Sequence, residues 1–526
     1  MNITPKIGRR QAEICLELVQ EMERCVVDRR QSVDQVLARF YRQHREYGAR
    51  DRRFFSNAVF SWFRWRGWLK TPDNKNIALA ILLDAEEVPP QMEYMYGNLE
   101  TLNPQHPTLA SALASFERSE LNVVRPGGSA RRKSSTLNVG SCRLQRSNSM
   151  PADAGSTFAG IEPLGPLNFE DKMQRLQSLL KTGPLRIEQL TPDWVSDFLF
   201  IPGDSNPEIH LRQCLESFQT RPPTWLRLPL CQYEKELHLL EQTGFEIETH
   251  SFMKQAVFIK SRKNFDADKF PEIEIQDLAS QCVGICCDPK PGEKWWDVCA
   301  GAGGKSLHLV DWMQDRGQIL ATDVRPAILP QLSKRLLKHK YRCVKSLVWD
   351  GKSDPSPGKY FDGVLVDAPC SGLGTWGRNP DARWRTYPEQ IRDYVGIQQN
   401  LLQIAAKKVG PAGRLVYSTC TLTRTENTDV IAAFLEQNRA FQLEKIINPL
   451  NHEAPCGSLM RRSSSGYGGQ DVAEPSEAKR VMPPHTNSAS GQDFLAKEGE
   501  PADGIIWVWP WEGNCNGMFI AVMKKA

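Results

Sequence analysis

No stretch of the 526-residue sequence approaches the roughly 18 consecutive apolar residues needed to cross a bilayer, so a bundle of membrane-spanning helices is excluded. The opening segment, MNITPKIGRRQAEICLELVQEMER, has no continuous apolar run and is not poor in acids. Neither a secretory signal nor a transit peptide is expected, and a reducing, cytoplasmic setting is. Net charge is scarce as well: +4 overall is too little to establish a nucleic-acid partner, which leaves local clusters of Lys and Arg to decide. No fixed-period repeat is present, which argues against a solenoid or propeller. The 14 cysteines are scattered through long apolar segments instead of forming a short secreted framework, so free thiols are expected. Cys282, Cys286 and Cys287 lack a second ligand pair at zinc spacing, and no metal site is expected.

What is present is a globular composition, 40% hydrophobic and 24% charged, in a chain long enough for two or three domains. From Arg9 to about Lys70 apolar residues recur at helical spacing (Ile14, Leu18, Val33, Val36, Leu37, Phe40), predicting a helical bundle over 1–124. Within it, DRRFFSNAVFSWFRWRGWLK interleaves arginines with Phe and Trp. At three- and four-residue spacing the aromatics read as core, while the arginines remain candidates for phosphate contact. Residues 125–163 are rich in Ser, Gly and Arg and read as a disordered basic linker, and a second low-complexity stretch, about 457–503, reads as a surface insertion. Over 164–270, connecting helices lead to TWLRL, YEKELHLLEQTG, FEIETHSF and AVFIKS, a strand, helix, strand, strand order that predicts a small α/β subdomain. From 271 to 526, strand-like and helical runs alternate, predicting a doubly wound, Rossmann-like parallel sheet.

The first strand of that sheet, WWDVCA, runs into a glycine-rich turn and a helix, giving Cys299, Ala300, Gly301, Ala302, Gly303, Gly304 and Lys305 at the sheet edge where ligands bind. The next strand ends in Asp323, roughly 20 residues on, where a carboxylate can accept from two ribose hydroxyls. Asp350 closes the third strand and either meets an adenine edge or caps a turn. These three sites fit a nucleoside and leave dinucleotide binding open. The fourth and fifth strands decide: FDGVLVDAPCSG delivers Asp367 and Cys370, and GRLVYSTC delivers Cys420, so two thiols and a carboxylate should converge beside the cofactor loop.

QDLASQCVG, CAGAGGK, ATDVRP, DAPCSG with RNPDARWR, STCTLTRTEN and NGMFIAVMKK, in this order over Thr191 to Ala526, resemble the Sun/Fmu-type family of RNA cytosine-C5 methyltransferases. ARDRRFFSNAVFSWFRWRGWL is also similar to the NusB-like helical RNA-binding domain of several bacterial members. Many members carry Pro where Ala302 stands, and the last strand more often begins Asp-Gly-Phe-Phe than Asn-Gly-Met-Phe. The resemblance implies S-adenosylmethionine as cofactor and structured RNA as partner, ribosomal ahead of transfer RNA, with no membrane association and a monomeric protein. It also implies a methyl transfer to cytosine C5 through a covalent cysteine–C6 adduct.

That chemistry explains the residue types. C5 is too weak a nucleophile until a thiolate adds to C6, and only the anion of a thiol attacks, so a nearby cation such as Lys305 helps. Asp367 could stabilise N3 and Lys305 O2 as electron density moves onto the pyrimidine ring. Which cysteine attacks is open from the residues alone; the resemblance implies Cys420 as nucleophile and Cys370 as the group that aids release. Two other readings remain: a methyltransferase acting on another RNA position or on protein, and a non-catalytic RNA-binding assembly factor that retains the cofactor fold. The arginines of the RNPDARWR loop, Arg378, Arg383 and Arg385, are expected to contact RNA phosphates.

Overall fold

The computed structural model describes residues 4–92, 94–95, 164–165, 167–180, 183–203, 206–260, 265–451 and 504–526. The expected linker, 125–163, and the expected insertion, 457–503, lie outside them. Two compact units result, Met1–Arg29 with Val33–Arg186, and Arg30–Ser32 with Ile187–Ala526. Among the described residues no helix is long and apolar enough to cross a membrane.

The first unit is helical: α1 (Pro5–Glu23), α2 (Val33–Gln43), α3 (Ala49–Leu69), α4 (Asn74–Asp84) and α5 (Phe169–Leu180). Helix α1 begins with Pro at its first position, where the missing N–H costs nothing, and buries Ala12, Cys15, Leu16, Val19 and Met22 at three- and four-residue steps. Helix α3 starts where the Asp51 carboxylate accepts from the Gly48 N–H at 3.0 Å, and it buries Phe54, Phe55, Trp62, Phe63, Trp65 and Trp68. Each such aromatic stabilises the unit by on the order of 2–3 kcal/mol. The aromatics are therefore core, as their spacing predicts, but two of the interleaved arginines are core as well. Arg64, 4% exposed, is paired with Asp84, and Arg66 donates to Glu23 at 2.7 Å. Trp62 Nε1 reaches the other Glu23 oxygen at 2.8 Å, and Trp65 Nε1 reaches Asp84 at 2.7 Å. A buried guanidinium needs a carboxylate, and the two are supplied by the last residues of α1 and α4. Arg64 and Arg66 are thereby withdrawn from phosphate contact.

The second unit opens with a four-stranded antiparallel sheet in the order β2-β3-β1-β4: β1 (Trp225–Arg227), β2 (Ile247–Thr249), β3 (Ala256–Ile259) and β4 (Glu274–Ile275). Helix α6 (Pro207–Ser217) precedes it, and α7 (Tyr233–Gln242) links β1 to β2 and packs Leu240 against Leu226, Leu228, Phe245 and Val257.

The larger sheet comprises β5 (Lys294–Asp297), β6 (Gln318–Asp323), β7 (Val344–Val348), β8 (Phe361–Asp367), β9 (Val409–Thr419), β10 (Phe441–Leu443), β11 (Ile505–Val508) and β12 (Met518–Lys525). Its order is β10-β12-β9-β8-β5-β6-β7, with β11 also on β12. Strands β5 to β9 are parallel; β12 runs antiparallel to β9, β10 and β11. This is a Rossmann-like, doubly wound sheet with helices on both faces. On one face α8 (Leu278–Cys287) and α9 (Gly304–Met313) pack Cys282, Val283, Leu309 and Val310 against Ile319, Leu365 and Val416. On the other, α11 (Pro388–Ala406) and α12 (Thr428–Gln437) pack Leu402, Ala405, Val430 and Ile431 against Val364, Val366 and Tyr417. Helix α10 (Leu329–His339) lies between β6 and β7 in the chain. Side chains alternate across a strand, so consecutive apolar residues on β8 feed both layers, and a near-continuous apolar run is what a strand covered on both faces requires.

Candidate active site

The carboxyl ends of β5, β6, β8 and β9 share one edge of the sheet, and two clusters form there. The first is built on the turn after β5. Gly301 and Gly303 have φ of +55° and +86°, and a Cβ on Gly303 would fall 2.2 Å from the Leu332 side chain, so both geometry and space demand glycine there. The Gly301 N–H donates to Asp323 Oδ2 at 2.9 Å, and Arg335 donates to the Ala302 carbonyl at 2.7 Å, which fixes the turn between the ends of β6 and α10. Asp323 is buried, and Arg325 forks onto both of its oxygens at 2.9 Å while its own side chain stays 62% exposed. Burial works against the Asp323 anion, but the Arg325 fork and the two backbone N–H donors outweigh it and hold the carboxyl below its ordinary range. Val324, the next residue, is 64% exposed.

Cys299 and Ala300 belong to this turn. The Ala300 N–H donates to Thr322 O at 2.8 Å, and burial pushes the Cys299 thiol up, which makes it inert. Asp350 makes its described hydrogen bonds within its own loop: Oδ1 accepts from Lys352 N, Ser353 N and Ser353 Oγ at 2.8–2.9 Å, the capping arrangement weighed from the sequence. Asp297, at the end of β5, was not a candidate from sequence. It is fully buried, accepts from Ser306 Oγ at 2.6 Å, and burial pushes its carboxyl up to about 7.

The second cluster joins β8 to β9. Their parallel register sets Asp367 beside Ser418, whose hydroxyl donates to Asp367 Oδ1 at 2.8 Å, while Lys305 Nζ donates to Oδ2 at 2.7 Å. Burial disfavours the Lys305 ammonium, yet the charge and hydrogen bond of Asp367 outweigh it and raise the amine's pKa, so the residue is a fixed cation. Three residues past Asp367, Cys370 Sγ lies 3.5 Å from Cys420 Sγ. The hydrogen bond from Cys370 holds the Cys420 thiol below its ordinary range and the nearby Lys305 adds to this, against burial and the Asp367 and Glu426 charges; the Cys370 proton is correspondingly harder to remove. Of the two thiols, Cys420 is thereby the easier to ionise.

Lys305, Asp367, Cys370 and Cys420 are brought together, with Gly301 to Gly304 and Asp323 beside them. The RNPDARWR arginines differ in exposure: Arg378 and Arg385 keep 29% and 33% of their side-chain surface, Arg383 none. Arg383 is completely buried and donates to Leu190 O, Phe218 O, Trp376 O and Gln219 Oε1 at 2.7–3.3 Å. Arg378 pairs with Asp277 and Pro223 O, and Arg385 with Asp381. The expectation of phosphate contact is corrected for Arg383, whose donors are taken up by buried carbonyls and an amide; Arg378 and Arg385 tie their loop to its surroundings and stay partly exposed. Sequence reasoning also missed Ser371, Ser418, Arg325 and the buried Glu426. Only the two-residue spacing of Asp323 and Arg325 offered a local signal, because a side chain can turn back on its neighbour at that separation.

A parallel sheet in this order, with an antiparallel strand beside its fifth member and a glycine turn after its first, defines the Rossmann-like methyltransferase class. Residues 284–524 match the family described as 16S rRNA methyltransferase RsmB/F. It is 40% identical over 256 residues to the probable ribosomal RNA small subunit methyltransferase B of Synechocystis, covering 48% of this chain and 47% of the relative. It is 30% identical over 281 residues to the protein of the same name from Bacillus subtilis, covering 52% and 60% respectively. The chain thus spans between about half and three-fifths of these relatives' length. The solved structure of the protein PH0851 aligns over 100% of both chains with a TM-score of 0.59 at 20% identity, a likeness of fold.

Proposed function

We propose that this protein transfers a methyl group from S-adenosylmethionine to carbon 5 of a cytosine in ribosomal RNA, with Cys420 as the attacking thiolate. The observation that carries the reading is the Cys370–Cys420 contact of 3.5 Å, flanked by the Lys305–Asp367 pair and opening beside a glycine turn. A methyltransferase working on an exocyclic nitrogen or a ribose oxygen has no use for two thiols. The relatives' names supply the ribosomal target.

The residues present fit the cofactor. Apart from its chain neighbours and its own helix backbone, nothing among the described residues lies within 4 Å of where a Cβ on Gly304 would stand, Gly301 and Gly303 keep the turn's backbone bare, and Asp323 with the exposed Val324 offers a carboxylate for ribose hydroxyls beside an apolar face for a base. Gly301 to Lys305, Asp323 and Asp350 would hold it, and when bound it supplies the electrophilic methyl group. The chain's own groups do the rest. The Cys420 thiolate adds to C6, and the electron pair of the C5–C6 double bond shifts into the ring, making C5 nucleophilic. The Lys305 ammonium, held in place by its 2.7 Å hydrogen bond to Asp367, meets the negative charge that develops at O2 and N3. After C5 has been methylated, a base takes the C5 proton, the electron pair returns to form the C5–C6 double bond, and Cys420 leaves. Cys370, which holds a proton 3.5 Å away, gives it to the departing sulfur.

RNA affinity is assigned to the exposed Arg42, Arg45 and Arg53 of the helical unit, the role implied by its NusB-like sequence. Bisulfite sequencing of ribosomal RNA from cells with and without the gene tests the whole reading. A cytosine protected only when the gene is present is expected; an identical protection pattern overturns it.

A further inference from the structure

Glu426 takes part in none of these steps, yet its fully buried carboxylate accepts four hydrogen bonds. Oε1 accepts from the Ser371 N–H at 2.8 Å and from Gln398 Nε2 at 3.2 Å; Oε2 accepts from Thr423 Oγ1 at 2.9 Å and closely from Ser371 Oγ. The same Gln398 nitrogen donates to the Pro369 carbonyl at 3.0 Å, and Ser371 Oγ lies 2.8 Å from Thr421 Oγ1. One carboxylate therefore gathers the residues on both sides of Cys370 together with the residue that follows Cys420 and the one two further on. An ionised carboxylate only accepts, with about four lone-pair directions, so a set of four donors suits it and no neutral side chain.

The geometry points to Glu426 as the positioning residue that holds the Cys370 thiol within hydrogen-bond range of Cys420. A thiol is a weak donor whose contact fades within an ångström, and the loop carrying Cys370 turns through Gly372 at φ +73°, so the sulfur separation needs an external brace. The role assigned to the pair rests on the reading above; the sulfur contact itself does not.

Electrostatics and positioning predict opposite signs. Lys305, Asp367 and Glu426 are the charged groups that act on Cys420, and the Tyr394 phenol on α11 also feels both sulfurs. The Glu426 charge disfavours the Cys420 thiolate, so if charge were its whole effect, Glu426→Gln would make Cys420 more acidic. If it is the brace, the Cys370 hydrogen bond loosens and Cys420 becomes less acidic.

Alkylation of Cys420 by iodoacetamide, followed across pH by peptide mass spectrometry on the full-length protein, reads the difference. Cys370→Ala sets the midpoint for complete loss of the bond. Glu426→Gln is expected to move the midpoint upward toward that limit, and Ser371→Ala, which keeps the carboxylate and removes one hydroxyl, to move it the same way by less. A midpoint that stays or falls in Glu426→Gln overturns the proposal. Should that variant not fold, Ser371→Ala decides by the same criterion. In methyl-transfer assays Glu426→Gln is expected to lower kcat by about 10- to 100-fold, the cost of an ångström-scale misplacement, with the KM for S-adenosylmethionine within twofold. A wild-type protein that methylates no RNA refutes the proposed function and leaves the alkylation result standing.

Discussion

Replacing Asp323 by Ala removes the carboxylate that anchors the glycine turn and, in the proposed function, receives two ribose hydroxyls. In the free protein both oxygens are held by Arg325 at 2.9 Å, so binding is an exchange. Two charge-assisted hydrogen bonds at ~1.5 kcal/mol each form, while release of an ion pair whose cation is largely in water costs about 1 kcal/mol. The balance is ~2 kcal/mol, about a 30-fold rise in Kd for Asp323→Ala. Arg325→Ala removes only the competitor and should tighten binding by up to about fivefold, the equivalent of that 1 kcal/mol. Calorimetric titration with S-adenosylhomocysteine, which cannot react, measures both. Because the Asp323 carboxyl is held below its ordinary range, affinity should persist as pH falls through the usual carboxylate range and be lost only below it. A change under threefold in Asp323→Ala, or weaker binding in Arg325→Ala, refutes the exchange.

Cys420→Ala should abolish methylation and any covalent complex, whereas Cys370→Ala should accumulate an RNA–protein band that survives denaturing electrophoresis; the reverse pattern exchanges the two roles. The Asp297 carboxyl, pushed up to about 7, holds its proton in the folded state over a range where the unfolded chain has lost it. Folding stability should therefore fall as pH rises from about 4 to about 7 and level off above, by at most ~4 kcal/mol. Asp297→Asn should flatten that slope in urea unfolding, and an unchanged slope would contradict the assignment. Arg383→Ala strands four buried acceptors and should lower stability by at least ~3 kcal/mol while the salt dependence of RNA binding stays as it was. A stable variant with a shallower salt slope would return Arg383 to the RNA surface. Arg42→Ala with Arg45→Ala and Arg53→Ala should weaken RNA binding and reduce the salt slope by up to about 3, and no change would sink the assigned surface.

The sequence is most transparent where function and local structure coincide. Each of the residues from Asp367 to Cys370, and Cys420, sits at the end of an apolar run bounded by turn residues, so its edge position follows from strand periodicity, and the convergence of two thiols follows from parallel neighbours. The small sheet is legible for the same reason, apart from β4, whose two residues are too short for a pattern. Opacity begins where long-range partners decide. Arg383 and Arg64 look like surface cations because nothing beside them in the chain announces Gln219 or Asp84. Glu426 resembles an exposed residue of a polar loop, and three of its four hydrogen bonds come from Ser371 and Gln398, tens of residues away. The antiparallel seat of β12 between β9 and β10 is a further case, since an apolar run carries no sign of direction.

That seat has a bearing on synthesis. Strand β9, which ends one residue before Cys420, offers β12 an edge that stays bare until residues 518–525 have been made. At ribosomal speeds the roughly 100 residues between them take about 5–20 s. Through that interval a long apolar strand waits with unmet N–H and C=O groups, the condition under which strands pair with strangers. A nascent chain stalled between Cys420 and Met518 should therefore bind chaperones and resist release in soluble form, whereas release after Lys525 should yield soluble protein.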